Sequence, residues 1–326
     1  MREVITSQLA CCSSGEGIMK TLDEFDGLLP NEEACKRLLT DLRWPHGVIC
    51  PRCQNTRVYE LKARPFHWVC KSGKQTRDED GKPVTCAKNG GYRFSVITRT
   101  IFQDTKIPLK TWFRVAYLML TAKKGISALQ VHRVIFGEDS THDYRTSWFM
   151  CMRLRAAMRG DVLPLEGEVE VDETYIGGRD KNRHWDKRVG ISGGSAKAGV
   201  IGAISRKGNV VCKALEEEGF DTFENFVRQT VSTKVKLVAT DEHPNYRHLR
   251  QFGYPHEKVV HSKKQYVVGS THTQTIESFW SLIKRGIIGN YHHVSRDYLP
   301  LYLNEFSFRF NNRKNPEMFE ALLQTV

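Results

Sequence analysis

No uninterrupted run of about 18 or more apolar residues occurs in the 326-residue sequence, so a membrane-spanning helix is not expected. The opening residues, MREVITSQLACCSSGEG, lack an apolar core long enough for a secretory signal. They also lack periodicity: residues 1–30 are expected to form a disordered segment, and Met19 is an alternative start. Acidic residues are in deficit, with 37 Asp and Glu against 49 Lys and Arg, a formal charge of +12. That balance favours a polyanionic partner, although many basic proteins never touch nucleic acid. Nine cysteines make an odd number with no regular disulfide framework, which fits a reducing, cytoplasmic setting. The remaining composition, 40% hydrophobic and 26% charged, supports one large domain with a substantial core plus one or two small appendages.

Residues 31–104 read as a short helix followed by a zinc ribbon. Asn31 to Leu42 is amphipathic, with Cys35, Leu38, Leu39 and Leu42 on one side. Next come WPHGVICPRCQNTRVYELKARPFHWVC, a polar insert and TCAKNGGYRFSV. Cys50 and Cys53 form a Cys-Pro-x-Cys turn, Cys70 ends an expected strand, and Cys86 follows the insert KSGKQTRDEDGKPVT. Four thiolates from two turns give one structural Zn²⁺ a closed tetrahedral shell, which leaves no open position for catalysis. Metal binding would also supply folding energy that this small region lacks in apolar residues. The second half is the weaker signal, because the insert lies where another C-x-x-C would sit. His67 is an alternative ligand, and a redox pair or unliganded buried cysteines are alternative readings.

Residues 105–160 are helical. In PLKTWFRVAYLMLTAKKG, Trp112, Val115, Ala116 and Met119 share a face, Pro108 suits the first turn, and the pattern stops at Gly125. ISALQVHRVIFG and THDYRTSWFMCMRLRAAMRG follow, the last carrying Arg153, Arg155 and Arg159. Three short helices with a basic final one are what a helix-turn-helix requires, so this region is expected to bind DNA. A plain three-helix bundle has the same pattern.

Residues 161–326 alternate strands with helices. Glu168 to Thr174 reads as a strand with Asp172 near its end, and Gly199–Ser205 with Asn209–Leu215 as a hairpin turning at Arg-Lys-Gly. DTFENFVRQTV reads as a helix with Asp221 as N-cap and Glu224 three residues on. VKLVATDEHPNY contains a buried strand ending at Asp241, EKVVHS is another strand, and QTIESFWSLIKRG is a helix. The fold class is therefore α/β, a mixed sheet flanked by helices.

On that last helix Ile276, Trp280, Ile283 and Ile287 form a core-facing stripe, and Glu277, Ser281 and Lys284 fall on the adjacent one. If Glu277 shares a cleft with Asp172 and Asp241, three carboxylates meet at a cost that divalent cations relieve. Carboxylates, waters and phosphate oxygens are what Mg²⁺ prefers, so the set describes a two-metal phosphoryl-transfer site, with Lys284 beside it to hold a phosphate. Taken singly, an Asp at a strand end is more often a cap, and a Glu–Lys pair two turns apart a solvated face.

VEVDETYIGG, VATDEHPNY, THTQTIESFWSLIKRGIIGNYHHVS and LNEFSFRFNNR together resemble the DDE transposases of bacterial insertion sequences that carry an N-terminal zinc ribbon, a group related to eukaryotic Merlin elements. The likeness runs from roughly Leu22 to Arg313. It implies a ribonuclease H-like catalytic domain in which Asp172, Asp241 and Glu277 bind two Mg²⁺ or Mn²⁺ ions, with Lys284 the basic residue after the glutamate. Gln274 stands where such proteins often have Asn, which leaves Glu277 as the acid. The resemblance further implies cleavage at the ends of an insertion sequence, strand transfer into target DNA, a homodimer or higher assembly on DNA, and work in the bacterial cytoplasm, associated with the nucleoid when DNA-bound.

Arg153, Arg155, Arg159, Lys284, Arg285 and Arg313 are the candidate DNA contacts. The basic, glycine-rich stretch Gly177 to Gly199 fits a phosphate-gripping loop or an ordinary solvated one. His292 and His293 fit structural roles better than contact with a scissile phosphate or hydrogen bonds to DNA, and Arg309 and Arg313 are expected to pack with Phe306 and Phe310 beneath the site while presenting charge to DNA. Glu173 and Glu242 adjoin the expected ligands and are alternatives to them, although alternation along the strands points them away. Two rival functions are a DNA-binding regulator with an inactive large domain and a ribonuclease H-like nuclease without strand transfer.

Overall fold

The computed structural model describes residues 21–77, 81–160, 164–178, 197–216, 219–259 and 272–326. The chain divides into two compact units: Met1–Thr121, Val131–Ala157 and Asn315–Val326 make the first, and Ala122–Gln130 with Met158–Lys314 the second. Among the described residues no helix is long and apolar enough to cross a membrane.

The first unit opens with α1 (Leu22–Leu28), which corrects the expectation of disorder through residue 30; residues 1–20 lie outside the described residues. Thr21 and Glu24 form a reciprocal capping box, with the Glu24 amide 3.2 Å from Thr21 Oγ1 and the Thr21 amide 2.9 Å from Glu24 Oε2. Phe25, 1% exposed, supplies the burial that holds so short a helix, stacking 4.8 Å from Tyr117. α2 (Glu32–Arg43) is capped by Asn31 and buries Cys35, Leu38 and Leu39, as its periodicity predicts.

β1 (Val58–Glu60) and β2 (His67–Cys70) begin the ribbon. The charged insert contains a two-stranded hairpin of β3 (Gln75–Arg77) and β4 (Pro83–Thr85). β5 (Tyr92–Ser95) completes an antiparallel sheet in the order β1-β2-β5. Trp44, Trp68 and Phe94 form its small apolar centre, the two tryptophan rings 5.3 Å apart.

Three helices follow, as expected: α3 (Leu109–Thr121), α4 (Ala128–Ile135) and α5 (Tyr144–Ala157). α3 buries Trp112, Phe113, Val115, Ala116 and Met119. His132 Nδ1 stands 3.2 Å from Ser147 Oγ, tying α4 to α5. Residues 136–143 join those two helices, a longer link than the three or four residues of a helix-turn-helix.

The second unit is built on β6 (Glu168–Ile176), β7 (Ala198–Ser205), β8 (Val210–Ala214), β9 (Leu237–Thr240) and β10 (His256–Lys258). The strands lie in the order β10-β9-β6-β7-β8; the β6–β7 and β7–β8 pairs are antiparallel and the β6–β9 and β9–β10 pairs parallel. α6 (Phe220–Thr230) precedes β9; its N-cap is Gly219, without a side-chain cap, and Asp221 falls in the first turn instead of capping it. α7 (Gln274–Gly286), a π turn (Ile287–Tyr291) and α8 (Leu299–Asn311) come last.

Period-two alternation divides the side chains between two cores. Val169, Val171, Ile201 and Ala203 pack with Phe223, Val227 and Tyr246, whereas Val200, Ile204 and Val210 pack with Ile276, Trp280, Ile283 and Phe306. The helix stripe read from sequence is the buried one, with Ile276 and Ile283 fully covered.

The chain ends by returning to the first unit. α9 (Met318–Gln324) sets Phe319 edge-on to Phe25 and Phe113, at 5.1 and 5.5 Å. Residues 315–326, read as part of the large C-terminal domain, therefore belong by their packing with the N-terminal elements.

Candidate active site

Asp172 and Asp241 meet because their strands are parallel neighbours. Glu170 on β6 pairs with Ala239 on β9, and each aspartate follows two residues later in the same direction. Asp172, Glu173 and Asp241 each present an oxygen within 4.8 Å of the others. Alternation sends Glu173 to the face opposite Asp172, yet the expectation that it points away from the ligands fails: its carboxylate joins the group. There Tyr246 donates to Glu173 Oε2 at 2.8 Å, and His243 Nε2 lies 3.8 Å from Oε1. The Asp241 carboxylate accepts the His243 amide at 2.9 Å, an Asx turn that fixes the loop after β9.

Electrostatics marks the cluster. Burial, then repulsion from Glu173 and Asp241, pushes the Asp172 carboxyl up to about 7, while a hydrogen bond from Trp280 pulls the other way. Burial also raises the Tyr246 hydroxyl well above its ordinary value, with Glu173 adding to it. Hard carboxylate oxygens crowded at this spacing match the donor set of Mg²⁺ or Mn²⁺.

Glu277 lies outside this group of three. It is exposed on α7, and its Oε1 accepts from Thr273 Oγ1 at 2.8 Å. Three residues on, Trp280 Nε1 donates to Asp172 Oδ2 at 3.0 Å, so the helix carrying Glu277 touches the strand carrying Asp172. Lys284 and Arg285 are exposed farther along α7, and Glu242 is exposed after Asp241.

Two residues missed in the sequence shape the site. Gly202 pairs with Asp172 in the β6–β7 register, and a Cβ there would lie 2.5 Å from the Trp280 ring. Only glycine lets the indole lie on the sheet. Glu170, fully buried, accepts from the Thr275 and Ile276 amides at 2.8 and 3.0 Å and pairs with Arg206 Nε at 3.0 Å. Its signal was available: it stands two residues before Asp172, on the same strand face, where an apolar residue would be expected.

The four cysteines also converge. Cys50 and Cys86 Sγ are 3.8 Å apart, Cys53 and Cys70 Sγ 3.6 Å, and all four are buried. A tetrahedron with Zn–S bonds of about 2.3 Å has edges of about 3.8 Å, so the cage fits zinc. Cys86 is thus the fourth member, brought back by the hairpin within the insert. His67 is not in the group; its Nδ1 is 3.0 Å from the Pro65 carbonyl.

The candidate DNA contacts separate by exposure. Arg155 is 1% exposed, with Nη1 3.7 Å from Met152 Sδ, which corrects its reading as a DNA-facing residue: α5 turns this side into the core. Arg153 is half-buried and reaches the Gln103 carbonyl at 3.4 Å, whereas Arg159 is exposed. Arg313 is exposed with its guanidinium 4.0 Å from the Phe310 ring centre. Arg309, its side chain 11% exposed, pairs with Glu305 at 3.1 Å and with the Ala122 carbonyl, so it packs as expected but holds its charge inside the fold. His292 and His293 are exposed. Most of the glycine-rich stretch, residues 179–196, lies outside the described residues.

Comparison with known proteins adds an independent line. Residues 164–311 match the ISXO2-like transposase domain, and residues 30–76 match the transposase zinc-ribbon domain. An "uncharacterized protein in transposable element ISH50" of Halobacterium salinarum is 25% identical over 315 residues, covering 91% of this chain and 97% of its own length. The zinc-ribbon match ends before Cys86, so the place of that cysteine in the group rests on its position in the sequence and on the geometry.

Proposed function

Because the chain belongs to the DDE insertion-sequence transposases with an N-terminal zinc ribbon, we propose that it binds the ends of a mobile element, cleaves DNA there and joins those ends to target DNA. The observation that carries this reading is the convergence of Asp172 and Asp241 from adjacent parallel strands, with the Glu277 helix hydrogen-bonded to the same strand. The strand order, three antiparallel strands continued on one side by two parallel ones, supports a ribonuclease H-like domain.

In this reading Asp172, Asp241 and Glu277 hold two Mg²⁺ or Mn²⁺ ions. When bound, such ions activate an attacking water or 3′-hydroxyl and neutralise charge at the leaving oxygen of a phosphodiester. Asp172 is kept in place by Trp280, and Asp241 by the His243 amide, so both ligands are oriented before DNA arrives. Lys284, exposed two turns beyond Glu277, grips a neighbouring phosphate. No side chain forms a covalent link to DNA, so one site serves both hydrolysis and transfer. The cysteine cage holds one structural Zn²⁺ and keeps the ribbon folded. Arg153, Arg159, Arg285 and Arg313 contribute DNA backbone contacts, and paired ends call for two or more copies of the chain on DNA.

The test is incubation of the full chain with duplexes ending in the element's terminal inverted repeats, a target plasmid, and Mg²⁺ or Mn²⁺. Strand-specific nicks at the ends followed by joined products are expected. Nicks without joining identify a nuclease, and binding without nicks a regulator.

A further inference from the structure

Helix α7 begins without a cap of its own. Thr273 occupies the N-cap position, where a threonine hydroxyl ordinarily accepts from the first-turn amides, yet it makes no such bond. Its Oγ1 donates instead to Glu277 Oε1 at 2.8 Å. The missing cap comes from 105 residues away in sequence: Glu170 Oε2 accepts the Thr275 amide at 2.8 Å and the Ile276 amide at 3.0 Å, and Oε1 accepts the Thr275 hydroxyl at 2.8 Å.

We propose that Glu170 is a positioning residue that caps the Glu277-bearing helix from the Asp172-bearing strand, and thereby sets Glu277 for metal binding. The inference rests on Glu277 serving as a ligand in the reading above. Glu170 is not itself a ligand: it lies outside the metal-capable group, and both of its oxygens are already engaged. Arg206 Nε pairs with Oε1 at 3.0 Å and His272 Nδ1 stands 3.2 Å from the same atom. The Arg206 guanidinium is the partner a fully buried carboxylate requires, and the helix N-terminus favours a negative charge at that spot.

Two clamps join the strand and the helix. Glu170 takes the amides of residues 275 and 276, and Asp172 takes Trp280 Nε1. Two residues of strand advance about 7 Å and four residues of helix about 6 Å, so the clamps are commensurate. Between them lies Glu277. With the helix end satisfied by Glu170, the Thr273 hydroxyl is left to orient the Glu277 carboxylate.

The experiment is Mn²⁺ titration of the full-length protein by electron paramagnetic resonance, with circular dichroism melts and zinc content reporting the fold. Variants are Glu170→Gln, Glu170→Ala, Glu277→Gln and the double Glu170→Ala/Glu277→Gln. Folded Glu170→Ala should bind Mn²⁺ roughly tenfold more weakly, as for loss of a residue that orients a metal ligand. Glu170→Gln, which keeps one acceptor for the amides, should lose less. The double variant should bind no more weakly than Glu277→Gln alone, because Glu170 acts through Glu277. A lowered melting temperature with unchanged Mn²⁺ affinity, multiplying losses in the double variant, or a Glu170→Gln protein that cannot fold would each overturn the positioning role. Unchanged Mn²⁺ binding by Glu277→Gln alongside its loss in Asp172→Asn would instead remove Glu277 from the ligand set.

Discussion

The indole N–H of Trp280 reaches the Asp172 carboxylate at 3.0 Å, while its ring lies on the bare backbone of Gly202, the cross-strand partner of Asp172. One aromatic residue therefore performs two tasks, closing the apolar core beneath α7 and orienting an acid at its edge. The orientation depends on the glycine, since any Cβ would enter the ring.

Trp280→Phe should separate these tasks. The core loses part of the indole and some stability with it, but the larger effect is on the metal: Asp172 loses the indole donor and Mn²⁺ affinity should fall roughly tenfold. Gly202→Ala should push the ring off the sheet and cost about 1–3 kcal/mol, the range for overpacking a tight core. Denaturant melts and Mn²⁺ titrations read the two effects separately; unchanged metal binding by Trp280→Phe would deny the indole its orienting role.

Among the carboxylates, Asp172→Asn, Asp241→Asn and Glu277→Gln should each abolish DNA cleavage while leaving DNA binding intact. Glu173→Gln should lose less than about tenfold, because Glu173 is spent on Tyr246 and His243. Cleavage assays beside gel-shift binding distinguish these outcomes. A dead Glu173→Gln with an active Glu277→Gln would exchange their roles.

Zinc removal should unfold the ribbon. Strong chelation, or Cys86→Ser, is expected to release one zinc per chain and expose Trp68 and Trp44, a change read by elemental analysis and tryptophan fluorescence. His67→Ala should retain full zinc content; loss of the metal there would reinstate histidine as a ligand.

Arg155 and Arg159 should behave oppositely. Arg155→Ala removes a large buried side chain and should cost about 2–5 kcal/mol of stability. Arg159→Ala should leave stability unchanged and lower the slope of log binding constant against log salt by about one. Thermal melts and salt-dependent DNA titrations check the pair.

Much of this was legible in the sequence. Asp241 announced itself at the end of an apolar strand, and the Ile276–Trp280–Ile283 stripe fixed the buried side of α7; Asp172, read as near a strand end, instead lies midway along β6, which runs on to Ile176. Periodicity reports only which face a residue takes, and the failures follow from that limit. It gave Glu173 a face but not the reach that brings its carboxylate to Asp172 and Asp241. It put Arg155 on a basic helix without showing that α5 buries that side. α1 escaped notice because so short a helix is held by Phe25 against Tyr117, a contact made 92 residues later. Glu170 looked like one more acid in VEVDE, since its partners at 206, 275 and 276 come together only in the fold.

Anomalous scattering from crystals soaked with Mn²⁺ tests the central claim most directly. The account predicts ions at the sheet edge, with Asp172, Asp241 and Glu277 as their protein ligands. Ions bound elsewhere, or a sheet edge that takes none at millimolar Mn²⁺, would contradict it.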